Sequence, residues 1–410
     1  MLIREFDRPT LRAGLLAVAV VVCTTLSACG GDGTTGLPGA PSSGSASGGS
    51  SGGSGGSSGT GSGTYTLAQR ALPAAYTSAK AINYSAYRAG GPNVGEVPSV
   101  ASITQDLQFL QSAGYTLLRL FGADQVSTSI LATAQSSFPN LKFQIGIYLE
   151  GAPSSCVDAV NTAQIQTAIT QANTYKNVAT VSVGNETSFA NNLPVACLAS
   201  YIKTVKTSVA QPVTADDDYT FYAGLTASGE KPDTILPLLD FASIHTYPMS
   251  NYGQWNWQQT TVAAGQARAV AMMNAALADA QANYTSAANY SFVSAAGQTT
   301  TTGAAMPIVI GETGWKSMQT NMGSQIETFA ATPINQKYFV DLLNSWQAAG
   351  TGPKAIFYFE AFNEAWKGND DGWGLWNQAR VPQYALCGTA VTGAPTCTSP
   401  DPYAGAGYYH

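Results

Sequence analysis

Charge is scarce in this chain. Of its 410 residues only 10% are Asp, Glu, Lys or Arg, against roughly a quarter in an ordinary soluble protein. The 18 basic residues are outnumbered by 24 acidic ones, for a net charge of −6. Such a composition cannot supply the basic stripe that displaces counterions from nucleic acid, nor a polybasic patch for an anionic membrane surface. Histidine is scarcer still: His245 and His410 are the only two, which excludes a multi-histidine metal site. No glycine-rich dinucleotide fingerprint follows the first strand-like run, and no cofactor or metal is expected. What is present is 45% hydrophobic sequence, enough for one large core or two medium ones, under a surface of Ser, Thr, Asn, Gln, Ala and Gly.

The first segment reads as an address. Arg4, Arg8 and Arg12 precede a continuous apolar run over 13–22, too short to span a bilayer. Leu26-Ser27-Ala28-Cys29 follows and resembles the lipobox of bacterial lipoproteins, in which the Cys becomes the lipidated first residue. A signal peptide over 1–28 and lipidation at Cys29 are therefore expected, with an ordinary signal peptide as the alternative. Residues 29–64 are dominated by Gly, Ser and Thr and cannot offset the entropy of ordering, so they read as a flexible tether. Gly52-Gly53-Ser54-Gly55-Gly56 formally matches a serine nucleophile elbow, but it has no strand before it and no helix after it. Cys156, Cys197, Cys387 and Cys397 remain for disulfides, as export favours. Proximity selects Cys156–Cys197 and Cys387–Cys397 among three connectivities. A zinc site is the rival reading, without the close Cys spacing of a knuckle.

From residue 65 to 410 one domain is expected. Short aliphatic runs fall at 80–84, 115–121, 143–149, 178–183, 213–216, 241–246, 307–311 and 354–359. They read as parallel strands covered on both sides, without the alternation of half-exposed ones. Helical patterns lie at 100–113, 157–175, 198–209, 260–282 and 335–348. Repeated strand–helix alternation in one domain of this size points to the α/β class and a (β/α)8 TIM barrel, with a doubly wound sheet as the rival.

In such a barrel the chemistry sits beyond the C-terminal strand ends. Only nine Glu occur in the chain, and Glu186 and Glu312 directly follow the fourth and seventh strand-like runs. A carboxylate there caps a helix, or it is placed for use in a partly desolvated position. Two of them across one barrel mouth suit glycoside hydrolysis, in which one acid protonates the leaving oxygen and the other attacks the anomeric carbon. Asn185, immediately before Glu186, is placed to donate to a sugar 2-hydroxyl.

The motifs Val181-Ser182-Val183-Gly184-Asn185-Glu186 and Ile308-Val309-Ile310-Gly311-Glu312-Thr313-Gly314-Trp315 resemble the two catalytic signatures of glycoside hydrolase family 17. These are the β-1,3-glucanases and related transglycosylases of the retaining clan A barrels. Ile82-Asn83-Tyr84-Ser85-Ala86-Tyr87 and Leu118-Arg119-Leu120-Phe121-Gly122-Ala123-Asp124 add to the likeness. So does Tyr358-Phe359-Glu360-Ala361-Phe362-Asn363-Glu364-Ala365-Trp366-Lys367, which resembles the fungal cell-wall branch. The resemblance implies Glu186 as acid/base and Glu312 as nucleophile, with Tyr247 beside the nucleophile. Tyr84, Arg119, Asn185, Glu360 and Trp366 would line the sugar cleft. Two departures from the family pattern, Lys316 after Gly314-Trp315 and Asn363-Glu364-Ala365-Trp366, fall on the acceptor side.

Trp315, Trp366, Trp373 and Trp376 all follow the last two strand-like runs; Trp315 and Trp366 are taken as sugar platforms, with core packing as the bland alternative. Asp216, Asp217 and Asp218 read as a solvated loop with one inward Asp, His245 as a hydrogen-bonded wall residue, and 295–305 as a surface loop. The resulting expectation is an exported, lipid-anchored bacterial envelope protein, monomeric, that cleaves β-1,3-glucan by double displacement. A transglycosylase with the same two glutamates is the second reading, and a silent glucan-binding lipoprotein the third.

Overall fold

Eight of the strand-like runs form strands, and they close on one another. They are β1 Lys80–Asn83, β2 Tyr115–Leu120, β3 Lys142–Ile147, β4 Val178–Asn185, β5 Val213–Asp218, β6 Ala242–His245, β9 Ile308–Thr313 and β10 Ile356–Tyr358. All pair in parallel, in the closed order β1-β10-β9-β6-β5-β4-β3-β2. The computed structural model describes residues 65–151, 156–250, 266–318, 331–367 and 372–397. The expected leader, Cys29 and the tether lie outside these, as does 260–265 of one expected helix.

The main helices pack outside the barrel. Val100–Ser112, Ala159–Thr174, Val195–Lys206 and Pro333–Ala348 match the expected helical patterns to within three residues at each end, and Gln266–Ala288 runs six residues beyond the expected end at 282. Gln125–Ser137 is unanticipated; Asp124 opens it with a capping box, its carboxylate accepting the Ser127 amide at 2.8 Å while Ser127 Oγ accepts the Asp124 amide at 2.8 Å. Among the described residues no helix is long and apolar enough to cross a membrane. The expected surface loop is a correction: β7 Ser291–Val293 and β8 Thr299–Thr301 pair as an antiparallel hairpin, followed by a helical turn at Thr302–Ala305. Its turn holds Gly297 at φ +76°, which glycine adopts without a Cβ clash. Cys156 pairs with Cys197, Cα atoms 5.1 Å apart, and Cys387 with Cys397, 5.0 Å apart.

The strands do alternate, contrary to the reading of uniformly apolar runs. Leu118, Leu120, Ile145, Ile147, Val181, Val183, Ile244, Ile308 and Ile310 face outward into the large apolar cluster under the helices. The intervening positions face the barrel axis, where the lower layer is apolar. There Ala81, Leu117, Phe241, Val309 and Phe357 pack with Tyr76, which comes from the segment before β1. Towards the C-terminal ends of the strands the interior turns polar: Asn83 and Arg119 stand two residues beyond Ala81 and Leu117, with Asp216 on β5 and His245 on β6, all buried. Tyr76 links the layers by donating to Gln144 Oε1 at 2.7 Å, and Gln144 Nε2 donates to both Asp216 oxygens at 3.0 and 3.1 Å.

Three of the barrel's five register shifts fall towards the C-terminal ends of the strands, the other two lying at Lys80/Ala81 and Phe143/Gln144. β4 slips against β5 between Ser182 and Asn185, β6 against β9 between Ile244 and His245, and β10 against β9 between Ile356 and Tyr358. Strict alternation would put Glu312 on the outer face with Ile308 and Ile310; the shift after Ile244 pairs His245 with Glu312 and turns the carboxylate to the mouth.

Candidate active site

Arg119 organises the mouth from below. Its guanidinium is 1% exposed and donates to acceptors from four other strands. Nε reaches Asp216 Oδ2 at 2.6 Å, Nη1 reaches Asn83 Oδ1 at 2.8 Å and Glu312 Oε1 at 2.7 Å, and Nη2 reaches Asn185 Oδ1 at 2.6 Å. Burial works against the charge on Arg119, but Asp216 and Glu312 outweigh it and hold the guanidinium charged. Burial likewise tends to raise the Asp216 carboxyl; the nearby Arg119 and His245 overcome this and keep it below its ordinary range.

Glu312 accepts on both oxygens, from Arg119 on Oε1 and from the Tyr247 hydroxyl on Oε2 at 2.6 Å. Glu186 faces it. His245 Nδ1 lies 3.0 Å from Glu186 Oε1 and 3.7 Å from Glu312 Oε2, so one imidazole touches both acids. Burial lowers the tendency of His245 to hold a proton, and the carboxylates of Glu312 and Glu186 more than restore it, raising its pKa above the usual value. A carboxylate oxygen of Glu186 and one of Glu312 lie within 4.8 Å of each other. The Glu186 side chain is 15% exposed and that of Glu312 only 7%, so Glu186 is the more open to solvent.

The floor beneath the pair is tight. A Cβ on Gly311 would sit 2.5 Å from Ser243 Oγ and 3.2 Å from both Asp216 Oδ1 and His245 Cδ2. Glycine just before Glu312 therefore lets β9 approach β5 and β6 at this level. Glu186, His245 and Glu312 also have the donor types of a metal site. His245 Nδ1, Glu186 Oε1 and both Glu312 oxygens are instead engaged by one another, by Tyr247 and by a guanidinium 2.7 Å from Glu312, and that positive charge repels a cation.

The structure thus brings together Glu186, Glu312, Arg119, Asn185 and Tyr247. Tyr84 is elsewhere: it is buried, stacks edge-on to Phe362 and donates to Asp106 at 3.3 Å. Asn83, one residue earlier, takes the place expected of it. Trp315 is also a correction, since its ring is fully buried against Phe339, 5.5 Å away, and offers no face to a sugar. Glu360 is buried with both oxygens 2.8 Å from Lys367 Nζ, and that ammonium lies 4.7 Å from the Phe359 ring. Phe359 in turn contacts Tyr247, so two aromatic rings stand between this ion pair and Glu312. Trp366 is half-buried at the rim between Tyr87 and Gly91. Trp376 is core, whereas half-buried Trp373 lies 5.3 Å from Tyr247.

The solvated loop expected for the three aspartates is overturned as well. Asp216 to Asp218 complete β5 and are all buried, each with its own task. Asp216 holds Arg119, Asp217 accepts amides from the turn after β4, and Asp218 caps the short helix Tyr219–Tyr222 through the Thr220 amide at 2.9 Å. Asn83 and Gln144 are given no role by the sequence reading, and the one inward Asp it expects is Asp216. Their signal was a polar residue at the inward position of an otherwise apolar strand.

Known proteins share this architecture. The probable family 17 glucosidase SCW10 of Saccharomyces cerevisiae is 27% identical over 296 residues, 72% of this chain and 62% of that protein. A glucan 1,3-beta-glucosidase of Schizosaccharomyces pombe is 29% identical over 199 residues, 47% of this chain and 51% of its own length. The chain therefore spans between half and two thirds of the curated relatives it matches. Among solved structures, an endo-laminarinase from Formosa superposes with a TM-score of 0.64 at 20% identity, covering 78% of this chain and 91% of that one. An active-site mutant of Rhizomucor miehei beta-1,3-glucanosyltransferase, in complex with laminaritriose, gives 0.54 at 19%, covering 78% and 98%. At these identities both likenesses speak for the barrel fold. The matching family model is described as the BtgE/BtgC glycoside hydrolase domain, and over residues 81–375 this chain belongs to that family.

Proposed function

We propose that this protein is a retaining glycoside hydrolase of β-1,3-linked glucan, with Glu312 as nucleophile and Glu186 as acid/base. The observation that carries the reading is the approach of the two carboxylates to within 4.8 Å at the open end of the barrel. That is near the separation of about 5–5.5 Å over which one carboxylate attacks the anomeric carbon directly, without an intervening water.

In the first step a Glu312 oxygen bonds to the anomeric carbon as the glycosidic C–O bond breaks. Glu186 gives its proton to the departing oxygen, leaving a glycosyl ester on Glu312. In the second step Glu186 takes a proton from the incoming water, whose oxygen displaces Glu312 from the same carbon. Two inversions restore the starting configuration. Arg119 and Tyr247 occupy both Glu312 oxygens and fix its direction of attack. With Asn185 Oδ1 accepting from Arg119, its amide NH2 is the donating end, suited to a sugar 2-hydroxyl. Trp373 and Trp366 supply aromatic faces for the apolar side of a pyranose. The two relatives named as glucosidases support the glucan as substrate class.

Export and lipid anchoring through Cys29 belong to the same reading, supported by Leu26-Ser27-Ala28-Cys29, the Gly/Ser tether and two disulfides. Mass spectrometry of the membrane fraction should find a diacylated Cys29 and lose it in Cys29→Ala.

Glu312→Ala tests the chemistry. Turnover of laminari-oligosaccharides should fall by about 10⁵-fold, and azide should restore cleavage of activated substrates with an α-glycosyl azide as product. No azide adduct, or an inverted product from the unaltered enzyme, would overturn the double displacement. A chromatogram of oligosaccharide products identifies what resolves the intermediate: only shorter chains mean water, longer chains mean a sugar hydroxyl.

A further inference from the structure

The segment that carries Glu186 is not held by its own strand. Glu186 has φ +51°, a left-handed conformation that a side chain other than glycine seldom adopts, two residues after Gly184 at φ +86°. Its amide donates to Asp216 O at 2.9 Å, and its carbonyl accepts the Ala190 amide at 3.0 Å, closing one helical turn. At the start of that turn the amides of Ser188 and Phe189 point away from any acceptor within it, as at a helix N-terminus. Asp217 of the neighbouring strand meets both. Its Oδ2 accepts from Ser188 at 2.9 Å and its Oδ1 from Phe189 at 3.1 Å, while Oδ1 also accepts the Asp218 amide at 2.8 Å. The carboxyl is fully buried and touches neither Arg119 nor Glu312 in the hydrogen-bond network.

We propose that Asp217 is a positioning residue for the acid/base, clamping the turn on which Glu186 rides through the amides of Ser188 and Phe189. This rests on the assignment of Glu186 made above. The clamp explains why a carboxyl stands in this buried place with backbone amides as its hydrogen-bond donors. A cap supplied from β5 fixes the turn after β4 without inserting a side chain into the cleft.

The clamp has an electrical side. Burial, reinforced by the charge of Glu186 and opposed by the three amides, pushes the Asp217 carboxyl up to about 7. By reciprocity, negative charge on Asp217 favours the protonated form of Glu186, the form that serves as acid. The other titrating or charged groups around this pair are Asp216 and Asp218 on the same strand, Tyr222 just after it, His245 on β6, Glu312 on β9 and Arg119 on β2. Of these, His245 contacts Glu186 directly.

The test is Asp217→Asn in the full-length enzyme, which keeps the size and one acceptor oxygen but loses the charge and the second acceptor. Its kcat/KM on laminari-oligosaccharide should fall about tenfold or more. On a 2,4-dinitrophenyl laminari-oligosaccharide, whose leaving group needs no proton, kcat/KM should fall by less than about twofold. The alkaline limb of its pH profile should move to lower pH. Equal losses on both substrates with an unmoved limb would overturn the proposal and leave Asp217 a structural residue. Glu186→Gln is measured in parallel. Leaving-group dependence there but not in Asp217→Asn defeats this inference alone, and its absence from both defeats the acid/base assignment as well. Should Asp217→Asn fail to fold, carboxyl ¹³C titration of the unaltered enzyme decides: Glu186 must report a second step as Asp217 ionises, and a single-step curve overturns the proposal.

Discussion

The lower and upper layers of the barrel interior are built from the same strands, two residues apart, and obey opposite rules. Ala81 gives way to Asn83, Leu117 to Arg119 and Val309 to Gly311 at the foot of Glu312. Below, Tyr76, Phe241 and Phe357 meet edge to face with ring centroids 5.5 and 5.9 Å apart, an apolar plug whose only polar outlet is the Tyr76 hydroxyl. Above, Asn83, Arg119, Gln144 and Asp216 share donors and acceptors across the barrel. The apolar layer closes the floor to water, and the charges above it then interact at a lower effective dielectric than they would in solvent. The lower layer therefore governs how firmly the barrel holds, and the upper one what it does.

Breaking the upper layer should have the largest effect. Arg119→Met leaves Asp216 and Glu312 buried without their cation. It should cost about 3–5 kcal/mol in urea unfolding and lower kcat/KM by more than about 10³-fold. Phe241→Ala attacks the lower layer alone: a loss of about 3 kcal/mol, with kcat of the folded fraction unchanged. If Phe241→Ala lowered kcat as Arg119→Met does, the division between layers would fall.

The pH dependence of stability sharpens the same contrast through Asp216, Asp217 and His245, at the ends of β5 and β6. Asp217 is raised from 3.8 to about 7, so its contribution is complete below pH 3.8 and is lost as pH rises to about 7. His245, also raised, adds stability below its ordinary 6.5 that is lost above its folded value. Asp216, lowered, acts oppositely, its contribution present above 3.8 and lost in stronger acid. Thermal melts at constant ionic strength should thus show Tm falling between pH 5 and 8, with a slope bounded by about 1.4 kcal/mol per pH unit per group. The slope should flatten in Asp217→Asn and persist in Phe241→Ala. The smallest effect is expected at the rim, where Trp366→Ala should raise KM several-fold, for about 1 kcal/mol of stacking, without changing Tm.

Much of this division could be read before any coordinates. Short aliphatic runs located all eight barrel strands, and the position of Glu186 and Glu312 just after two of them located the opposed acids. The failures share one cause: direction. Naming a strand does not say which residue at its end faces the axis, so Tyr84 stood in for Asn83. The polar positions of Gln144, Thr180 and Ser182 alternate with apolar ones, but inside a barrel the buried polar row faces the axis, and the runs read as uniformly covered. The ring of Trp315 lies in the core, beside a close approach at Gly314, where a Cβ would lie 2.1 Å from Phe359 O, a contact 45 residues away in the sequence. The buried aspartates of β5 were misread for a similar reason. Each is matched by donors from a different neighbour, none adjacent in the sequence except the amides of Asp218 and Thr220.

Arg119 has one more consequence. Its partners come from the first, fourth, fifth and ninth strands, spread around the circumference and over more than 200 positions of sequence. No half-assembled intermediate can satisfy that guanidinium, so bringing the first and ninth strands to one centre and arming the nucleophile happen together. During refolding, the return of activity is then a clock for the meeting of these strands, with no partly competent species ahead of it.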